Sequence, residues 1–163
     1  MIWKYDTGFW VRRDFAIADG VCFVGRDRSL LCAIDILTDK ELWAIQNGRG
    51  SRCYPLIYDD KLYIGDDEGY LNAIDIKTGK VEWEIKTRDS ILLAPVVYNN
   101  LIYFVSKDHY LYIADRETGR LLWKWRAFDE ISTSPVVIND KIYFGDSEGV
   151  FYALNIPESL KSR

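Results

Sequence analysis

Tryptophan stands at positions 3, 43, 83 and 123, a spacing of 40 residues that never slips. A strict period of this length belongs to arrays of stacked units, each a block of secondary structure too small to bury its hydrophobic surface alone. Other positions keep the same register. Pro55, Pro95 and Pro135 each follow a Trp by twelve residues, with Phe15 in that slot in the first copy, and Phe23, Tyr63, Tyr103 and Tyr143 come eight residues later. Gly25, Gly65 and Gly145 recur as well, and Val105 is the exception. The chain divides into repeats 3–42, 43–82, 83–122 and 123–163 of a single domain, 1–163.

Turn chemistry cuts each repeat into short strands. Asp19-Gly20, Asp59-Asp60, Asn99-Asn100 and Asn139-Asp140 are residue pairs that tolerate the positive φ of tight hairpins. A second turn lies at Gly65-Asp66-Asp67-Glu68-Gly69 and Gly145-Asp146-Ser147-Glu148-Gly149, and a third at Thr78-Gly79 and Thr118-Gly119, with Thr38-Asp39 in the first copy. Four strands of about five to seven residues fill what remains, so no helix fits. In the third copy these are A, Ala94 to Tyr98; B, Leu101 to Ser106; C, Tyr110 to Asp115; and D, Arg120 to Trp125. Strands A and B are almost continuously apolar, as in a sheet covered on both faces. The expected fold is all-β, a propeller of four-stranded blades. Six Trp and eleven Tyr against one Met fit that reading, since flat rings suit a pleated surface.

Composition narrows the function classes. A net charge of -4, with no basic stretch, argues against a nucleic-acid partner. Cys22, Cys32 and Cys53 form an odd set without metal-like spacing, which predicts free thiols in a reducing compartment. The apolar runs fall far short of the roughly 20 residues a membrane helix needs. No charged and apolar leader precedes the first strand. A soluble, cytoplasmic protein with no membrane contact is the expectation.

The segments Ala33-Ile-Asp-Ile-Leu-Thr-Asp-Lys-Glu-Leu-Trp43, Ala73-Ile-Asp-Ile-Lys-Thr-Gly-Lys-Val-Glu-Trp83 and Ile113-Ala-Asp-Arg-Glu-Thr-Gly-Arg-Leu-Leu-Trp123 resemble the tryptophan-docking motif of pyrroloquinoline-quinone-type (PQQ-like) propeller repeats. The resemblance implies that Trp3, Trp43, Trp83 and Trp123 are structural, with Trp43 and Trp83 largely buried where one blade docks on the next. The fourth copy loses Thr-Gly and has Arg163 where Trp is due. Ile2-Trp3-Lys4-Tyr5 reads as a D strand with no strands before it, so residues 2–5 are expected to complete the last blade. Rings of about seven or eight blades are usual for such repeats. Three arrangements follow: two chains forming an eight-bladed homodimer, which is preferred, a closed four-bladed monomer, or a fragment of a longer propeller.

Chemistry is sparse. Quinone-dependent enzymes of this resemblance carry a vicinal Cys pair, a calcium site and an Asp base, none of which can be placed here. His109 occupies a turn position where other copies have Gly. The acidic turn residues Asp27, Asp66, Asp67, Glu68, Asp108, Asp146 and Glu148 are spread one cluster to a blade, unlike the converging oxygens a hard cation needs. No cofactor, metal or catalytic residue is therefore expected, and the chain is read as not an enzyme. The candidate partner-binding residues lie at the D strands and D-to-A connections: Arg12, Arg13, Arg49, Arg52, Arg88, Arg126, Trp10 and Phe128, with Phe9 and Trp125 adding aromatic bulk. Mutual neutralisation of the arginines by the acidic turns is the competing account. The leading function is a non-catalytic protein-binding or assembly module; the alternatives are a relative or fragment of a quinone-dependent dehydrogenase and a small cytosolic inhibitor of a toxin or nuclease.

Overall fold

The computed structural model describes residues 4, 6, 15–26, 29–46 and 49–161. Three repeats become four-stranded antiparallel meanders whose strands lie in sequence order. The first blade is β1 (Phe15–Ala18), β2 (Val21–Arg26), β3 (Ser29–Asp35) and β4 (Glu41–Ile45). The second is β5 (Leu56–Tyr58), β6 (Lys61–Gly65), β7 (Tyr70–Asp75) and β8 (Val81–Lys86). The third is β9 (Val96–Tyr98), β10 (Leu101–Val105), β11 (Tyr110–Asp115) and β12 (Leu121–Arg126). The fourth has three strands among the described residues, β13 (Val136–Ile138), β14 (Lys141–Gly145) and β15 (Phe151–Asn155), followed by a 3-10 turn at Glu158–Leu160. The D strand expected at residues 2–5, and Trp3 with it, lies outside the described residues except for Lys4, which belongs to no strand.

Strand A begins later than the sequence implied, at Val96 and not Ala94. Pro95 has no N–H to give the ladder, so pairing starts one residue beyond it, as it does after Pro55 and Pro135. The hairpin turns behave as their residues predict: Asp19, Asp59, Asn99 and Asn139 all have φ between 50° and 55°. His109 takes φ 73° where Gly69 and Gly149 take 86° and 84°, so a side chain occupies a backbone state that glycine fills elsewhere. In each C-to-D hairpin the ladder shifts register at the same place, after Ala33, Ala73 and Ile113. A bulge there turns the D strand toward the next blade.

Alternation sends successive side chains to opposite faces of each blade. On one face of the second blade Tyr63, Leu71 and Ala73 meet Ile102, Phe104 and Ala114 of the third, all 0% exposed. The same face of the first blade packs Phe23, Leu31 and Ala33 against Leu62, Ile64 and Ile74, and that of the third packs Tyr103, Leu111 and Ile113 against Ile142 and Phe144. The core is thus a series of sandwiches between blades. No helix among the described residues is long and apolar enough to cross a membrane.

Candidate functional site

Two sets of features lie outside the sandwiches: the docking turns that tie blades together and the loops joining D strands to A strands. The docking turns repeat almost atom for atom. Trp43 Nε1 donates to the Ile76 carbonyl at 3.2 Å, and Trp83 Nε1 to the Arg116 carbonyl at 3.1 Å, each reaching the following blade. Trp43 lies 5.8 Å from the Phe23 ring, and Trp83 5.8 Å from Tyr63. The opposite ring face rests on glycine: a Cβ on Gly79 or Gly119 would sit 2.6 Å from Cδ2 of Trp43 or Trp83. The Thr-Gly pair is therefore demanded twice, by φ near 70° and by the indole.

An aspartate builds each receiving turn. Asp75 Oδ1 accepts from the Thr78 N–H at 2.8 Å, the Thr78 hydroxyl at 2.7 Å and the Lys77 N–H at 3.1 Å. These bonds, the Thr78 side chain first, hold the Asp75 carboxyl below the usual carboxylate range. Asp35 and Asp115 play the same part in the first and third blades. Trp43 and Trp83 sit on the outermost strand of their blades and are largely, though not fully, buried. Trp123 packs, buried to a similar degree, in the sandwich between the third and fourth blades.

Most charged residues of the D-to-A loop end are occupied internally. Arg49 Nε lies 3.2 Å from Oδ2 of buried Asp66, its Nη2 donates to Glu84, and its guanidinium stacks 4.1 Å over Tyr70. Arg52 pairs with Asp67 at 2.8 Å. Burial raises the Asp66 carboxyl above its ordinary range, against the opposing pull of the Tyr70 N–H and Arg49. The acidic turns are caps: Asp66 Oδ1 accepts from the N–H groups of Glu68 and Tyr70, and Asp146 Oδ1 from those of Glu148 and Val150. No group of three or more His, Cys, Asp or Glu side chains able to hold a metal occurs among the described residues. Cys22, Cys32 and Cys53 are buried, and none adjoins another in sequence. The sequence has no vicinal cysteine pair, and the described residues bring together no carboxylate cluster of the kind a calcium site needs.

Aromatic residues divide in a way that sequence alone left open. Trp125 belongs to the sandwich, edge-on to Phe144 at 5.8 Å and to Tyr152 at 5.2 Å. Phe128, three residues on, is 84% exposed. Its loop is pinned: the Phe128 N–H donates to the Tyr152 hydroxyl at 3.3 Å, that hydroxyl donates to Asp146 Oδ2 at 2.7 Å, and the Ala127 N–H donates to the His109 carbonyl at 2.9 Å. The bond to Asp146 is also what raises the Tyr152 phenol. Arg88 and Arg126 are exposed at the same end of the blades and form no ion pair among the described residues. A shallow groove lined by Trp125, Arg126, Ala127, Phe128 and Tyr152 opens beside them. Phe9, Trp10, Arg12, Arg13 and Asp27 lie outside the described residues.

At the opposite end, an ionic cluster that the repeat pattern did not signal joins the second and third blades. Arg116 reaches Asp59 at 2.9 Å and Glu117 at 2.7 Å and lies 4.8 Å over the Tyr58 ring, while Lys61 bridges Glu117 at 2.6 Å and Glu82 at 3.2 Å. None of these positions recurs as a pair in every copy, so periodicity is silent about them.

Four-stranded blades joined by Trp-on-Gly docking define a PQQ-like β-propeller. The chain belongs to the family described as "Outer membrane protein assembly factor BamB", whose model matches residues 27–159. Among solved structures it is similar to BamB from Moraxella catarrhalis, with a TM-score of 0.83 at 20% identity over 94% of this chain and 52% of that one. It is similar also to the computationally designed Ika4 protein, with a TM-score of 0.78 at 18% identity over 93% of this chain and 94% of that one. A europium-containing methanol dehydrogenase matches with a TM-score of 0.75 at 16% identity, over 90% of this chain and 40% of that one. The chain spans about half the length of that BamB. Comparison with curated proteins gives no match.

Proposed function

We propose that this chain is a non-catalytic protein-binding module of assembly-factor type, built as a half ring that a second copy completes, with its protein partner seated at Phe128. The observation that carries the partner site is Phe128 itself, 84% exposed on a loop whose backbone is held by Tyr152 and His109. A large apolar ring presented on a rigid loop loses little entropy on binding, and with Arg88 and Arg126 at the same end it has the composition of an interface hot spot. Arg49 and Arg52 are held by their own carboxylates, so the partner meets the third and fourth blades rather than the second. The family's description as an assembly factor supports this reading over a quinone dehydrogenase. An odd set of three cysteines without metal-like spacing supports a reducing, cytoplasmic setting.

The test is a photo-reactive phenylalanine analogue at position 128, illuminated in cells that carry the native gene, with the adduct identified by mass spectrometry. One defined protein should be captured, and R126E should abolish the capture. Quinone-dependent dye reduction by the purified chain with calcium or a lanthanide, together with no adduct from position 128, would replace this reading with the enzymatic one.

A further inference from the structure

The blade repeat shows what each face of each blade is for, and at the two ends of the array it leaves two apolar surfaces open. Leu31, Leu71 and Leu111 are equivalent positions, each 0% exposed under the next blade; the fourth of the series, Phe151, is 72% exposed. Val136 and Ile138 on β13 share that face and are 58% and 53% exposed, and Tyr143, stacked 6.1 Å from Phe151, is half-exposed where Tyr63 and Tyr103 are buried. Gly145 repeats the story. A Cβ on Gly65 would strike Ile91 at 2.4 Å, whereas one on Gly145 meets nothing nearer than Thr133 at 3.6 Å.

The complementary surface lies on the first blade. Ile57, Val97 and Val137 on their A strands each pack against the preceding blade, and the equivalent Ile17 on β1 is 56% exposed with Phe15 beside it at 59%. Leu37, in the receiving turn of the first blade, is 88% exposed. That turn has the shape the others have: Asp35 Oδ1 caps Leu37 and Thr38, and Asp39 takes φ 59° where Gly79 and Gly119 take 71° and 69°. Among the described residues no blade covers this face of the fourth blade and none covers the facing surface of the first.

We infer that Val136, Ile138 and Phe151 of one copy pack against Phe15, Ile17 and Leu37 of a second copy, with the reciprocal contact closing a two-fold ring. This deepens the half-ring reading and rests on it. A second copy is the occupant because the chain's own first blade leaves both surfaces open, and because its four blades superpose on only about half the length of a solved relative. Residue types agree with the register. Arg116 over Tyr58 is the corresponding contact between the second and third blades, and the seam substitutes Ile36 and Ile138, an apolar pair, at those two positions. Lys61 with Glu117 likewise becomes Lys141 with Leu37, whose side chain can cover the lysine stem.

The experiment uses the full chain. Sedimentation should give twice the 19.0 kDa of one chain, and I138D/F151D should weaken self-association by about 100-fold or more while far-UV dichroism is unchanged. Chains carrying I138C alone and I36C alone, co-expressed and mildly oxidised, should form a mixed disulfide between copies. A dimer that gives no mixed disulfide and tolerates I138D/F151D would overturn the seam and leave the half ring standing. A monomer in which an I36C/I138C double variant forms an intrachain bond would overturn both, showing that the chain closes on itself.

Discussion

Replacing Gly119 by alanine tests the docking geometry most directly, because two separable costs fall on one atom. At φ 69° a Cβ brings a backbone penalty of about 1–2 kcal/mol. The Cβ would also sit 2.6 Å from Trp83 Cδ2, roughly 1 Å inside ordinary contact, and overpacking of that kind costs about 1–3 kcal/mol. Gly119→Ala should therefore destabilise by about 2–5 kcal/mol. Trp83→Ala removes a largely buried ring, worth about 3 kcal/mol, the lower end of the range for a fully buried one, and a hydrogen bond to Arg116 worth about 1 kcal/mol, giving about 4 kcal/mol in all. In the double variant the steric part has nothing to strike and only the backbone part remains. The two losses should then fall short of additivity by at least about 1 kcal/mol. Urea unfolding followed by far-UV dichroism, at one protein concentration for all four proteins, measures the cycle. Additivity to within about 0.5 kcal/mol would mean that the indole does not rest on the glycine, and the docking account would fall with it.

His109→Gly should raise the melting temperature by about 1–4 °C, since it relieves a side chain at φ 73° and keeps the backbone bonds to Ser106 and Ala127; a lower melting temperature would place the imidazole in a stabilising role. Asp35, Asp75 and Glu117 have carboxyls held below their ordinary range, so the stability they add is present above about pH 4 and is lost as pH falls through their lowered values. Asp75→Asn should flatten that acid limb in melting curves taken from pH 6 to pH 2, and an unchanged slope would count against the Thr78 bonds as its source. Deleting residues 1–7 should convert the protein to aggregate or monomer on size exclusion, because β15 pairs only with β14 among the described strands. Phe128→Ala should leave stability within about 0.5 kcal/mol, as expected for an exposed side chain, while the photo-crosslinked partner is lost from pull-downs with the purified chain.

A repeat makes sequence unusually informative, because any position that must do the same thing four times announces itself by its spacing. The meander of four strands, the hairpin residues Asp19, Asp59, Asn99 and Asn139, and the recurrence of Trp with Thr-Gly were all legible for this reason, since each depends on local backbone conformation or on a contact about one repeat away. Tertiary structure alone decided what happens where copies differ. Trp125 and Phe128 stand three residues apart with similar chemistry, yet one is clamped between Phe144 and Tyr152 and the other faces solvent, a difference set by which blade lies above each. Arg49 and Arg88 occupy neighbouring slots of the repeat, and only the presence of Asp66, Glu84 and Tyr70 within reach of Arg49 makes it an internal tie. That Trp43 and Trp83 are largely but not fully buried follows from the position of strand D at the edge of its sheet, a property of the sheet and not of the motif. Phe151 and Leu111 are equivalent in sequence; one is exposed and the other buried because burial belongs to the neighbouring blade, which covers Leu111 and, among the described residues, does not cover Phe151.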